Sequence, residues 1–274
     1  MEINYEKQTQ FTWGIELADK KFWCPDIREL IVLFWYMSSW KTEFSYFVAR
    51  ANASKGNKVL YLSLELPEYD MKLRIARKKA WVSKYDFQKK KYTEKQKQIM
   101  EETRKELKEN KDVVIRSIES KTLKDIENIL RQSYDEWCRM FIIDNLDKIR
   151  ADWKDDENTR YQKITTFLQD FKNSCDASII LIHHAKKFDS KWIAYKRAWI
   201  GGMRWSQKIM DNATQVFEIY RELDPDNTDE LEKAKVEIVQ MKDTFEGANW
   251  FETIYFFKWD YYDEKGYKEA KYWI

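Results

Sequence analysis

Short, unbroken apolar runs alternate along this chain with longer charged stretches of helical spacing. The first run is 28–34, where Leu30, Ile31, Val32, Leu33 and Phe34 follow one another without a polar break. A run that short and continuous predicts a strand buried on both faces. Residues 35–40 then read as a loop, 44–53 as a helix, and 55–58 as a turn around Gly56 leading into a strand at 59–64. The stretch 68–112 contains neither Pro nor Gly and is charged throughout, which predicts a helical excursion rather than a linker. Strands are expected at 113–115, 139–144 and 177–183, with helices at 123–137 and 161–173 between them. Further strands follow at 215–220, 235–240 and 251–257. This alternation predicts an α/β fold with a mostly parallel twisted sheet covered by helices on both faces. The strands at 235–240 and 251–257 are close in sequence and should pair antiparallel. No internal repeat is visible.

One loop in this pattern has the spacing of a chemical motif. A phosphate-binding loop reads G-x-x-x-x-G-K-[ST] between a strand and a helix. Here the same span reads Trp35, Tyr36, Met37, Ser38, Ser39, Trp40, Lys41, Thr42. Lys and Thr are in place, and so is the strand–loop–helix context. Both glycine positions are Trp. That substitution is physically awkward, because the loop needs backbone torsions that glycine reaches freely and N–H groups that converge on phosphate oxygens.

Composition changes how that awkwardness is read. The chain has 13 Trp and only 6 Gly in 274 residues. Ordinary usage would give roughly 19 Gly, so the Trp surplus is about the size of the Gly deficit. Trp13 neighbours Gly14, and Trp137, Trp153, Trp250 and Trp259 fall at turns or element ends, which are glycine positions. One reading is that these are UGA codons decoded as glycine and written as Trp. The other is a Trp-rich protein with a broken phosphate loop.

With those tryptophans read as glycine, the chain resembles the RecA-like ATPase domain of hexameric replicative helicases of the DnaB type. It also resembles the shorter plasmid-type replicative helicases, over residues 11–260. The resemblance implies a RecA-like P-loop NTPase fold forming one domain over 1–274, with ATP and Mg2+ as cofactors. It assigns residues 35–42 to the nucleotide, with Lys41 on the β- and γ-phosphates and Thr42 on Mg2+. Ser63 to Pro67 is similar to the family segment whose glutamate polarises the attacking water, here Glu65. Asp144, after the apolar run 140–143, takes the second metal-ligand position. His184 falls where the family senses the γ-phosphate, and 203–213 resembles the segment after the DNA-binding loop. Lys242 matches the lysine of a finger that reaches a neighbouring subunit's ATP. The arginine of that finger is Thr244 here, which weakens stimulation across subunits. A primase-interacting domain ahead of the ATPase domain is not expected here, a second departure.

The residues themselves support part of this. A strand-end carboxylate such as Glu65 is commonly just solvated, and its place one strand after a phosphate loop favours catalysis. Asp144 directly follows apolar residues, a costly position that a metal shell explains. His183 and His184, the only histidines, should point to opposite faces of a strand, and His184 is assigned to the nucleotide.

Charge is nearly balanced, with 49 Lys and Arg against 47 Asp and Glu, so nucleic-acid binding needs a local patch. Residues 186–205 supply one, with Lys186, Lys187, Lys191, Lys196, Arg197 and Arg204 among aromatic residues. That composition fits single-stranded DNA. The Lys-rich run 88–96 reads instead as a solvated helical face. No apolar run is long enough to cross a membrane, no signal-type segment opens the chain, and three scattered cysteines suit a cytoplasmic protein. The leading expectation is a ring-forming, ATP-driven motor on single-stranded DNA. Two alternatives stay open: a non-hydrolysing RecA-like DNA-binding or scaffold protein, and a recombination or regulatory ATPase.

Overall fold

The computed structural model describes residues 11–21, 26–35, 40–150, 156–184, 207–220, 229, 231, 234–244, 251–257 and 260–272. Among the described residues, nine strands form one sheet: β1 (Leu30–Trp35), β2 (Val59–Ser63), β3 (Val113–Ser117), β4 (Met140–Asp144), β5 (Ser178–His184), β6 (Gln215–Tyr220), β7 (Lys235–Asp243), β8 (Phe251–Phe257) and β9 (Asp260–Tyr262). Their order is β3-β2-β4-β5-β1-β6-β7-β8-β9. The six strands from β3 to β6 run parallel, and β7, β8 and β9 continue the sheet antiparallel. The expected β7–β8 pairing is present, with Ile238 opposite Glu252.

The parallel strands are buried on both faces because their side chains alternate between two apolar layers. In β1, Ile31 and Leu33 join Phe44, Val48 and Tyr61 on one side. Leu30, Val32 and Phe34 join Ile126, Leu130, Ile164, Leu168 and Phe171 on the other. The first layer is covered by α2 (Trp40–Ser54), the second by α6 (Leu123–Asp135) and α7 (Glu157–Cys175). Here α7 starts four residues before the predicted helix, because the Asp156 side chain accepts a hydrogen bond from the Thr159 N–H and caps it.

Short elements complete the described chain: α1 (Glu16–Lys21), α8 (Gln207–Asn212) and α9 (Glu264–Tyr272). The excursion at 68–112 is helical as expected but broken twice, into α3 (Glu68–Lys79), α4 (Lys84–Gln88) and α5 (Glu94–Glu109). Ser83 caps α4, and Thr93 with Gln96 forms a capping box on α5. The three helices share a small core of Ala76, Ala80, Val82 and Met100, packed against Phe87, Tyr92 and Ile99. Since α5 leads directly into β3, this unit stands at the β3 edge of the sheet.

Candidate functional site

Parallel strands end together, so side chains just beyond their carboxyl ends gather in one crevice. The register makes this concrete: Ser63 of β2 pairs with Asp144 of β4, Asp144 with Ile182 of β5, and His184 with Trp35 of β1. The first turn of α2 brings Lys41 and Thr42 to the same edge.

Lys41 is 7% exposed, and its Nζ lies against both ring nitrogens of His184, 2.9 Å from Nε2. Burial pulls the Lys41 ammonium from its usual 10.5 to about 8, against the attraction of Asp144, Glu65 and Asp147. A buried cation at the carboxyl edge of the sheet is well placed to meet an arriving anion.

Asp144 is buried, and its Oδ2 accepts hydrogen bonds from the Tyr61 hydroxyl at 2.8 Å and the Thr42 hydroxyl at 2.9 Å. Burial pushes its carboxyl above the ordinary range even so. Tyr61 is itself positioned by Ser45, 3.0 Å from its hydroxyl. Asn145 donates to Glu65 Oε2 at 3.0 Å and contacts His184 Nε2 at 2.7 Å, which ties the ends of β2, β4 and β5 together. The His184 ring, 3.7 Å from Glu65 Oε2, is the main influence holding the half-exposed Glu65 carboxyl down at about 2.

The adjacent histidines face opposite ways, as a strand requires. His183 is buried against Tyr161 and lies 3.2 Å from Asp147 Oδ1. Asp147 also accepts from the Tyr161 hydroxyl at 2.8 Å and from the His184 N–H at 3.3 Å. Burial works against the Asp147 charge, yet its bonds to His183 and Tyr161 hold its carboxyl below the ordinary range. This network fixes the end of β5 from below, leaving the His184 ring to face Lys41.

The donor set suits a hard divalent cation: one buried carboxylate and one hydroxyl, Asp144 and Thr42. Among the described residues, buried Asn145 Oδ1 has no hydrogen-bond partner beside them. Among the described residues no three His, Cys, Asp or Glu side chains gather to hold a metal.

The structure thus brings together Lys41, Thr42, Glu65, Asp144 and His184 from the sequence reading. It adds Tyr61 and Asn145, which that reading missed. A tyrosine inside the apolar strand 59–62 was the available signal, since a buried hydroxyl needs a partner. Lys242 is not brought here: its amine donates to the Met210 and Ala213 carbonyls at the end of α8, 2.7 Å to the latter. Tyr36, Met37, Ser38, Ser39, Lys186, Lys187, Lys191, Lys196, Arg197 and Arg204 lie outside the described residues, and Trp35 and Trp40 are described in backbone only.

Two other tryptophans are informative. Trp81 and Trp137 have φ of 57° and 73°, in the left-handed region that favours glycine, and are 63% and 75% exposed. Trp13 differs: it is 3% exposed and packs edge-on to Phe217 at 4.9 Å.

Comparison with known proteins completes the picture. The family model of the DnaB-like helicase C terminal domain matches residues 15–249. Among solved structures, one described as an ATPase domain superposes with a TM-score of 0.78 at 17% identity, covering 92% of this chain and 90% of that one. A structure described as a DnaB-like replicative helicase and its interactions with primase gives 0.77, also at 17% identity, over 92% of this chain and 61% of that one. No curated protein matches. The match over most of the chain, on a RecA-like sheet with these residues at its carboxyl edge, means that this chain belongs to the DnaB-like helicase C-terminal domain family.

Proposed function

We propose that this protein is an ATP-hydrolysing motor that moves on single-stranded DNA, works as a ring of identical subunits and acts in the cytoplasm. The observation that carries the reading is the convergence of Lys41, Thr42, Glu65, Asp144 and His184 at one sheet edge. Lys41 would hold phosphate oxygens, and Thr42 and Asp144 would hold Mg2+, which would supply neutralisation of the phosphate charge. Glu65, ionised far below neutrality, orients the attacking water, the kind of help a loose phosphoryl-transfer transition state needs. A phosphate oxygen arriving at Lys41 competes with His184 for the same amine. His184 can thereby report the state of the γ-phosphate to β5 and, through residues 186–205, to DNA. Lys242 has its amine on its own chain's carbonyls, so a finger role requires it to leave α8 when subunits meet.

The reading includes glycine at 35 and 40, written as Trp through recoded UGA. Positive φ at Trp81 and Trp137 supports recoding at those positions, whereas the packed Trp13 does not. Peptide mass spectrometry of the native protein over residues 28–55 tests it, and Trp at both sites would refute it. The test of the motor itself is ATP hydrolysis by the Trp35→Gly/Trp40→Gly chain with and without single-stranded DNA. DNA-stimulated turnover is expected. A second reading, a non-hydrolysing RecA-like binding protein, is favoured by Trp35 and Trp40 as written, and tight nucleotide binding without turnover would support it.

A further inference from the structure

The chain is nearly neutral overall, but its charge is not evenly spread. Between residues 72 and 97 there are eleven Lys and Arg against two Asp and Glu, a net +9 in a chain whose net is +2. The cations of α3 are largely spoken for: Lys72 pairs with Glu68, Arg74 and Lys78 with Glu43, and Lys79 with Glu106. Those around α4 are not. Among the described residues Lys84, Lys89 and Lys90 are exposed and make no ion pair. Lys91 is exposed too, with its amine 5.6 Å from the centre of the Tyr85 ring.

These groups form one small, rigid tip. A five-residue helix is only about 7 Å long, and the chain folds back over it. The Lys89 N–H donates to the Tyr85 carbonyl at 3.0 Å, Lys90 to Phe87 at 3.1 Å and Lys91 to Asp86 at 2.8 Å. Underneath, Phe87 stacks on Tyr92 with ring centres 6.0 Å apart, and both rest on the small core of the excursion. The one carboxylate on α4, Asp86, is engaged with Ser83. Tyr85 stays 59% exposed beside the amines.

We propose that this tip, Lys84, Lys89, Lys90 and Lys91 around Tyr85, rather than the solvated helical face expected at 88–96, is a second contact surface for single-stranded nucleic acid, at the β3 edge of the sheet and apart from the nucleotide site. Clustered amines neutralise backbone phosphates and release counterions, and an exposed ring beside them offers a base a stacking face. An acidic protein would use the amines but has no need of the ring, so nucleic acid is the occupant that uses both. The assignment goes beyond the motor reading, since binding here requires neither ATP nor residues 186–205.

The test is fluorescence anisotropy of a labelled oligothymidylate, without nucleotide, over a range of salt. Combined Lys84→Gln, Lys89→Gln, Lys90→Gln and Lys91→Gln should weaken binding at least tenfold at 0.1 M salt. The slope of log affinity against log salt should fall by about 3, four contacts at ~0.7 each. Tyr85→Leu should weaken single-strand binding about fivefold or more and leave the salt slope unchanged. All these side chains are exposed, and an unchanged melting temperature confirms that folding is intact. If both variants bind like the parent, the tip is not a contact surface, and the motor reading stands unaffected. If Tyr85→Leu has no effect and polyglutamate competes as well as the oligonucleotide, the tip is a docking face for acidic proteins and the assignment is overturned.

Discussion

On the β4 side of the crevice, Asp144 is held by Tyr61 and Thr42, and Asn145 bridges Glu65 to His184. On the β1 side, residues 35–42 have the spacing of a phosphate loop but carry Trp at both of its glycine positions. The difference lies in what each side is made from. The acidic side is built of side chains on buried strands, and each can be positioned by packing and hydrogen bonds. A phosphate cradle is built of main-chain N–H groups, and no side chain can substitute for the space and torsional freedom that glycine supplies. The acidic residues are therefore in place in the sequence as written, and 35–40 matches a phosphate loop in its spacing alone.

The largest effect should come from the acidic side. In the Trp35→Gly/Trp40→Gly background, Asp144→Asn should reduce ATP turnover by roughly a thousandfold, the scale of removing a principal charge-stabilising group. It should also raise the melting temperature at neutral pH by about 2–4 °C. The sign follows from the raised carboxyl of Asp144, whose burial in charged form opposes folding above its folded-state value. That gain should vanish as pH falls below the ordinary 3.8. A stability loss at neutral pH would show that Asp144 serves the fold rather than the site.

Tryptophans should divide in the same way between packed and strained positions. Trp13→Gly should cost about 3–5 kcal/mol in denaturant unfolding, because it empties a packed site. Trp81→Gly and Trp137→Gly should each stabilise by about 1 kcal/mol, by relieving a left-handed backbone. Equal effects at all three would remove the distinction.

Asn145→Leu keeps the volume and removes the bridge between Glu65 and His184. Turnover should fall about tenfold with KM little changed, since an orienting contact is lost rather than a binding one. Steady-state kinetics distinguishes this from a fall in affinity.

The gentlest probe is pH. Lys41 titrates at about 8 in the folded protein against 10.5 when exposed. Its buried charge therefore opposes folding below pH 8, and the penalty is relieved as pH rises from 8 to 10.5. Nucleotide affinity should move the opposite way, level below pH 8 and falling up to about tenfold per unit above it. Calorimetry in buffers of different ionisation heats should show proton uptake on binding near pH 8, absent in Lys41→Met.

Much of this was legible in the sequence. Strands buried on both faces announce themselves as unbroken apolar runs, and Lys41, Thr42 and Asp144 were placed by spacing and by the carboxylate's position after an apolar run. Other features were present but carry weak signals. The capping residues Ser83 and Thr93 mark where the excursion breaks, and β9, with three residues, is too short to show a period. Local pattern flags the Tyr61 hydroxyl as needing a partner but names none for Tyr61 or Asn145, because their partners lie 83 and 80 residues away and meet them only across the sheet.

With glycine at 35 and 40, the two sides of the crevice should form one nucleotide site. Titration of Mg-ATP into the chain as written, the Trp35→Gly/Trp40→Gly chain, and the latter with Lys41→Ala tests this most directly. The account predicts that the glycine pair raises affinity at least a hundredfold, about 3 kcal/mol, and that Lys41→Ala removes the gain. Equal affinity in all three chains would contradict it.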